Sequence, residues 1–223
     1  MVAPEPLGTA PDGREMISFL PGRVMLRPWA APMFADDGLE QAGIMLKQLH
    51  DLTEDLTFPP DTVWRSRQAG KQPGQIMRHG DLGPWNTLWQ GSTLTGLIDW
   101  DFAEPGERLT DLAQMALYFV PLRGDAHALE CGFQLTDDLP HRLDTLCSGY
   151  GRFNSFEVVR EIERLQLASM REVEERAAEG RYPWTMFRDN GEIERAAEEV
   201  AWLRAMFPGA FAVDTIDPSW AAS

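Results

Sequence analysis

Apolar positions along this chain change rhythm, and the rhythm separates its elements. Over residues 36–52, Leu39, Ala42, Leu46, Leu49 and Leu52 recur at three and four residues. That spacing predicts a helix with one apolar stripe, and Asp36 or Asp37 can cap its start. A second helix is expected over about residues 109–119, after the Pro105-Gly106 break. A third spans 155–179, with Phe156, Val159, Ile162, Leu165, Ser169 and Val173 on one side. Asn154 and Glu157 form its capping box, and Gly180 stands where a left-handed C′ residue belongs. A last helix covers 191–206, with Ile193, Ala197, Val200 and Leu203 inward and Pro208 ending it. The rest of the C-terminal half reads as helical. Between the first two helices the runs shorten to strand length. Thr87-Leu88-Trp89 and Leu94-Thr95-Gly96-Leu97-Ile98 flank Gln90-Gly91-Ser92, a hairpin signal. Ahead of all this, Pro11-Asp12-Gly13 turns a hairpin over residues 3–21, whose second strand holds Glu15-Met16-Ile17-Ser18-Phe19-Leu20, and Pro21-Gly22 breaks the chain. Residues 53–72, polar and containing Pro59-Pro60, read as a loop. The fold class is α+β: a short β piece ahead of a mostly helical lobe that carries a small sheet.

Composition sets the bounds. With 223 residues and 43% hydrophobic content, the chain can bury a substantial core in one domain or two small ones. Its formal charge of −15 argues against nucleic acid, where Lys and Arg must displace phosphate counterions. The acidity would suit a cationic, amine-bearing substrate, but plain solubility is the simpler explanation and takes precedence. Cys131 and Cys147 have neither metal-site spacing nor the pattern of a disulfide framework, which points to a reducing cytoplasm. The start, Met1-Val2-Ala3-Pro4-Glu5-Pro6, lacks the basic and apolar regions of a signal peptide, and no run approaches a membrane span.

The candidate chemistry lies in two short segments, His79-Gly80-Asp81-Leu82-Gly83-Pro84-Trp85-Asn86 and Leu97-Ile98-Asp99-Trp100-Asp101. A carboxylate at Asp81 can accept a hydrogen bond from an acceptor hydroxyl. Asn86 and Asp99 offer a neutral and a charged oxygen, hard ligands suited to Mg²⁺ that also takes phosphate oxygens. Asp and Asn also cap their own turns, so Asp81 and Asn86 could serve the backbone alone. Asp99 at the end of an apolar strand favours the chemical role. His79 reads as support for the loop, and Asp111 as support at the start of the next helix. Trp85, Trp100 and Asp101 are candidates for substrate or nucleotide contact, with core packing the alternative for both tryptophans. His50-Asp51 reads as a helix end.

The H-x-D-L-x-x-x-N loop followed by a strand ending in Asp resembles the catalytic loop and metal motif of the aminoglycoside phosphotransferase and choline kinase-like family. Gly13–Gly22, Leu49-His50-Asp51 and Glu104–Ala113 extend the resemblance over about residues 3–122. It implies a protein-kinase-like C-lobe over residues 23–223, with catalytic loop 79–86 and metal motif 97–103. It also implies that residues 1–22 are a remnant of the N-lobe sheet and hinge, that Asp111 is a buried brace under the loop, and that ATP and Mg²⁺ are the cofactors. In the family a phosphate-covering loop, a strand with an ATP-binding Lys and a helix with its Glu partner precede the hinge. Here the two lysines, Lys47 and Lys71, both follow it.

Three expectations follow. The first is transfer of the ATP γ-phosphate to a hydroxyl of a small, possibly amine-bearing molecule, with Asp81 as base or orienter and Asn86 and Asp99 holding Mg²⁺. The second is a catalytically inactive kinase-like binding module, and the third a reading frame that starts upstream of Met1. An acceptor pocket is expected from helices after residue 122, near Asp125, Glu130, Asp137, Asp138 and Glu157. One face of the 3–20 hairpin should pack on the helical lobe, leaving Ile17 and Phe19 or Met16 and Leu20 uncovered. That implies homodimerisation or partial disorder through residues 1–22.

Overall fold

The computed structural model describes residues 3–59, 61–64 and 70–212. Part of the predicted loop 53–72, at 60 and 65–69, lies outside the described residues, as do Met1 and Val2. Thirteen strands and helices follow one another among the described residues: β1 Pro6–Thr9, β2 Glu15–Ile17, α1 Asp36–Thr53, β3 Ile76–Arg78, β4 Thr87–Gln90, β5 Thr93–Leu97, β6 Glu104–Gly106, α2 Arg108–Phe119, α3 Asp125–Glu130, α4 Leu139–Tyr150, α5 Ser155–Ala178, α6 Trp184–Asp189 and α7 Glu192–Met206. This is the α+β kinase-like arrangement.

The helices form the scaffold. α1 packs on α4, and α5 packs on α2, α6 and α7. Two glycines let α1 and α4 meet backbone to backbone: a Cβ on Gly43 would stand 2.4 Å from the Leu146 carbonyl oxygen, and one on Gly149 2.5 Å from that of Glu40. Leu39, Ala42, Leu46, Leu112, Leu143, Leu146 and Val159 make a continuous core. Arg142, pushed down to about 10 by burial, donates to the carbonyls of Met33, Phe34 and Phe119, tying α4 to the entry of α1 and the exit of α2.

The helix expectations need adjustment at particular residues. Ala35, not Asp36 or Asp37, is the N-cap of α1, and the two acids sit in its first turn, where they favour the positive end of the helix dipole. Leu52 leaves the stripe for solvent because the helix ends beside the exposed Asp51 and Glu54 that hold Arg108. On α5 the capping box forms as expected. Its inward face runs Val158, Val159, Ile162, Gln166, Val173, while Phe156 and Ser169 are exposed. On α7, Ala197 is exposed and Ala196 faces inward.

Among the described residues, each of the three sheets is a two-stranded antiparallel pair: β1 with β2, β3 with β6, and β4 with β5. Arg23 adds a bridge to Trp89, with both backbone hydrogen bonds at 2.9 Å, so the chain is anchored to β4 just after Pro21-Gly22. The β1–β2 hairpin forms around its predicted turn, yet neither face packs on the helical lobe. Leu7, Met16, Ile17 and Phe19 are all exposed, and Phe19 is 87% so. The expected covered face is absent because the strands are short and pair only with each other.

Candidate functional site

β3 and its partner β6 deliver the chain to His79, and β4–β5 return it to Asp99. In register, Arg78 faces Glu104 and Thr87 faces Leu97. Both ends of the chemistry-bearing segment are thereby pinned to short ladders, leaving the loop between them to be shaped by side chains.

His79 is fully buried. Its Nδ1 accepts from the Asp81 amide at 3.3 Å, so the proton sits on Nε2 and is donated to the Ile98 carbonyl at 3.0 Å. Burial holds its pKa below the ordinary 6.5, although Asp111 and the Ile98 bond pull the other way. The neutral ring thus ties the loop to the strand end that precedes Asp99. Asp111, also fully buried, accepts from the amides of His79 at 2.8 Å and Gly80 at 3.2 Å, and from His50 Nε2 at 3.2 Å. Burial alone would raise its carboxyl, but the His50 and His79 hydrogen bonds outweigh this and hold it below 3.8. His50 is in turn 2.8 Å from the Tyr150 hydroxyl, which carries the connection to α4. Gly80 has φ +79°, and a Cβ there would meet the Phe102 carbonyl oxygen at 2.2 Å, so no other residue fits this close approach.

Asn86 donates through Nδ2 to both the backbone carbonyl and Oδ2 of Asp81, each at 2.9 Å. This orients the Asp81 carboxylate and turns the Asn86 amide oxygen away from it. The Asn86 carbonyl accepts from the Ile98 amide at 3.0 Å, so Asn86 lies beside the residue preceding Asp99. Asp99 is exposed and has φ +64°, a left-handed backbone that costs a non-glycine residue of order 1 kcal/mol or more and gathers at functional positions. No group of three or more His, Cys, Asp or Glu that could hold a metal occurs among the described residues. Asn86 and Asp99 contribute one amide oxygen and one carboxylate, the kind of hard oxygen donors that could hold Mg²⁺ with waters and phosphates completing its shell.

Of the remaining candidates, Trp100 lies 4.6 Å ring to ring from His79, and Trp85 packs at 4.8 Å on Tyr118 and 6.5 Å from Trp29. Asp101 is exposed on the turn after Asp99.

A cavity of about 470 Å³ opens at the Gly80 end of the loop, between α2, α5, α6 and α7. The residues expected to make it acidic, Asp125, Glu130, Asp137, Asp138 and Glu157, do not line it. α2, which precedes residue 122, supplies one wall. The carboxylates that do line it are Glu192 and Glu199. Sequence reasoning also missed Gln114, whose Nε2 donates to the Gly80 carbonyl at 2.9 Å, and Tyr118, whose phenol pKa is raised first by burial and further by Asp81. Both share a face of α2 with Asp111, at three and seven residues beyond it. A polar series at helical spacing after Asp111 was the available signal.

Residues 63–162 match a family model described as the phosphotransferase enzyme family. Trifolitoxin immunity protein of Rhizobium leguminosarum bv. trifolii is 35% identical over 156 residues, which is 67% of this chain and 57% of that relative. The chain thus spans under two thirds of that curated relative's length. Among solved structures, an ethanolamine kinase of Plasmodium vivax is 12% identical, with 99% of this chain and 69% of that chain covered at a TM-score of 0.50. Macrolide 2'-phosphotransferase MphH from Brachybacterium faecium is 15% identical over 91% of this chain and 73% of its own, at 0.47.

Proposed function

We propose, from the premise that residues 63–162 make this chain a member of the phosphotransferase enzyme family, that it moves the γ-phosphoryl group of ATP to a hydroxyl of a small molecule. The observation that carries this reading is the oriented carboxylate. Asp81 is held by Asn86 beside the strand end that bears Asp99, on a loop whose Gly80 lines a cavity large enough for a small acceptor. In the proposed reaction the acceptor oxygen forms the new bond to phosphorus while the bond to the departing ADP oxygen breaks. The acceptor proton goes to the Asp81 carboxylate. Phosphoryl transfer of this kind is mainly a matter of positioning and charge neutralisation, so a pre-set carboxylate is worth more than a mobile one. Asn86 Oδ1 and the Asp99 carboxylate would hold Mg²⁺, which when bound neutralises charge on the transferring phosphate. His79 and Asp111 act as positioning residues, and Trp85, Trp100 and Asp101 are the neighbours a nucleotide or acceptor would meet. We take residues 23–223 as the catalytic lobe, residues 1–22 as its N-lobe remnant, and the cytoplasm, where ATP is plentiful, as its place. Among the described residues no helix is long and apolar enough to cross a membrane.

A second reading, a kinase-like binding module without turnover, is favoured by the lysines. Lys47 pairs with Asp51, and Lys71 donates to the carbonyls of Thr53, Glu54 and Leu56, so both serve α1 and its exit. The name of the 35% identical relative, an immunity protein, is compatible with either activity. Calorimetric titration with ATP, with and without Mg²⁺, separates the two. Metal-dependent binding that Asp99→Asn removes, with phosphate passed to an alcohol, supports transfer. A folded protein that binds no ATP supports the binding module.

A further inference from the structure

Gly80 leads directly into Asp81. It has no side chain and takes φ +79°, so whatever holds its two backbone polar groups decides how the chain enters the next residue. Both are held from α2. Asp111 Oδ1 accepts from the Gly80 amide at 3.2 Å, and Gln114 Nε2, one helical turn on, donates to the Gly80 carbonyl at 2.9 Å. One turn further, the Tyr118 ring packs at 4.8 Å on Trp85 of the same loop. Leu112, Ala113, Met115 and Ala116 are fully buried, so the helix presenting these three side chains is anchored in the core.

The Gly80 carbonyl and the Asp81 amide belong to one planar peptide. Turning that plane turns the bond that leads to the Asp81 side chain. Two contacts hold the plane, and they differ in strength. The Asp81 amide reaches His79 Nδ1 only at 3.3 Å, past the usual span of such a bond, whereas the Gln114 contact lies at the optimum. Asn86 does not substitute for either. It donates to the carbonyl and the carboxylate of Asp81 together, and so fixes that side chain relative to its own backbone. Gln114 is therefore the firmer restraint on the plane, and it lines the same cavity as Gly80.

We infer that Gln114 is a positioning residue for the phosphotransfer proposed above, setting the peptide plane that aims the Asp81 carboxylate. The loop that carries the base and the wall of the acceptor cavity then share one side chain, which keeps the two in register. The inference rests on the proposed reaction for the role of Asp81, and on the Gly80 peptide for the role of Gln114.

The test uses the full chain with two substitutions. Gln114→Met keeps the length and loses the donor, while Gln114→Asn keeps the amide and is too short to reach. Amide hydrogen exchange followed by NMR reads the loop without any turnover. In both variants the Asp81 amide is expected to exchange about fivefold faster, the scale of one net hydrogen bond, while the His79 amide, held by Asp111, stays unchanged. ADP formation from ATP with Mg²⁺ is then followed with 2-aminoethanol, glycerol and water as acceptors. The kcat should fall about tenfold or more, as a reacting group displaced by up to about 1 Å would cause, with the KM for ATP unchanged. Wild-type exchange at Asp81 in either variant, equal acceleration at His79 and Asp81, or a changed KM with kcat intact would overturn the inference. Selective exchange in the variants of a chain that forms no ADP with any of the three would uphold Gln114 as the restraint on Asp81 and count against the phosphotransfer reading.

Discussion

Asp111 receives the amides of His79 and Gly80 and the ring of His50 in a site closed to water. Replacing it by Ala would strand two loop amides and a histidine together, for which a loss of about 3–5 kcal/mol in unfolding free energy is expected, measured by urea denaturation. The same pair of residues sets an acid limit. His79 and Asp111 both have folded-state pKa values depressed below the ordinary 6.5 and 3.8, so each binds protons more readily in the unfolded chain. Their contribution is complete above pH 6.5 and is lost as pH falls, first through His79 and then, in more acid solution, through Asp111. Thermal unfolding between pH 8 and 4 should show a falling midpoint that His79→Gln flattens near its upper end; an unchanged slope would refute the assignment. The nearness of Asp81, Asn86 and the residue before Asp99 was legible because these positions are close in sequence and joined by short strands. The hydrogen bond of Gln114 to the Gly80 carbonyl and the place of Tyr118 beside the loop were not, because they exist only once α2 packs against it.

Between elements, the tightest demand is made where α1 crosses α4. Gly43→Ala would drive a methyl into the Leu146 carbonyl and the Tyr150 amide. The usual gain of Ala over Gly within a helix, about 1 kcal/mol, is then outweighed by overpacking of about 1–3 kcal/mol, because both obstructions are backbone. Denaturation should show net destabilisation for Gly43→Ala and, by the same geometry, for Gly149→Ala. Both changes should also disturb the His50–Tyr150 contact, visible as altered histidine NMR shifts. Helix periodicity made α1, α2, α5 and α7 legible, since each buries one stripe. The precise inward residues were less so: Ala196 and Ala197 are chemically identical, and only the rotation of α7 against α5 chooses between them. Glycine read from sequence suggests a breaker, whereas here two of them are contact surfaces.

For the molecule as a whole, charge and chemistry part company: the chain is strongly acidic, while the cavity beside Gly80 has mainly apolar walls with two arginines and two glutamates among them. Bulk composition reported the solvated helix faces, which outnumber the groups that line a binding site. The hairpin is the other whole-molecule feature, with Met16, Ile17 and Phe19 uncovered on a two-stranded ribbon. Such a ribbon is marginal alone, and pairing with a second copy is the expected outcome at high concentration. Light scattering should report a mass above the monomer that Ile17→Ser with Phe19→Ser reduces; an unchanged monomer mass would dismiss it. Asp99 brings a different conflict to the same scale. Its left-handed backbone is one that glycine adopts without steric penalty, so Asp99→Gly should raise the melting temperature by a few degrees while ending Mg²⁺-dependent nucleotide binding. A breeder of this protein who selected survivors of heat alone would therefore harvest sturdier descendants with nothing left to do.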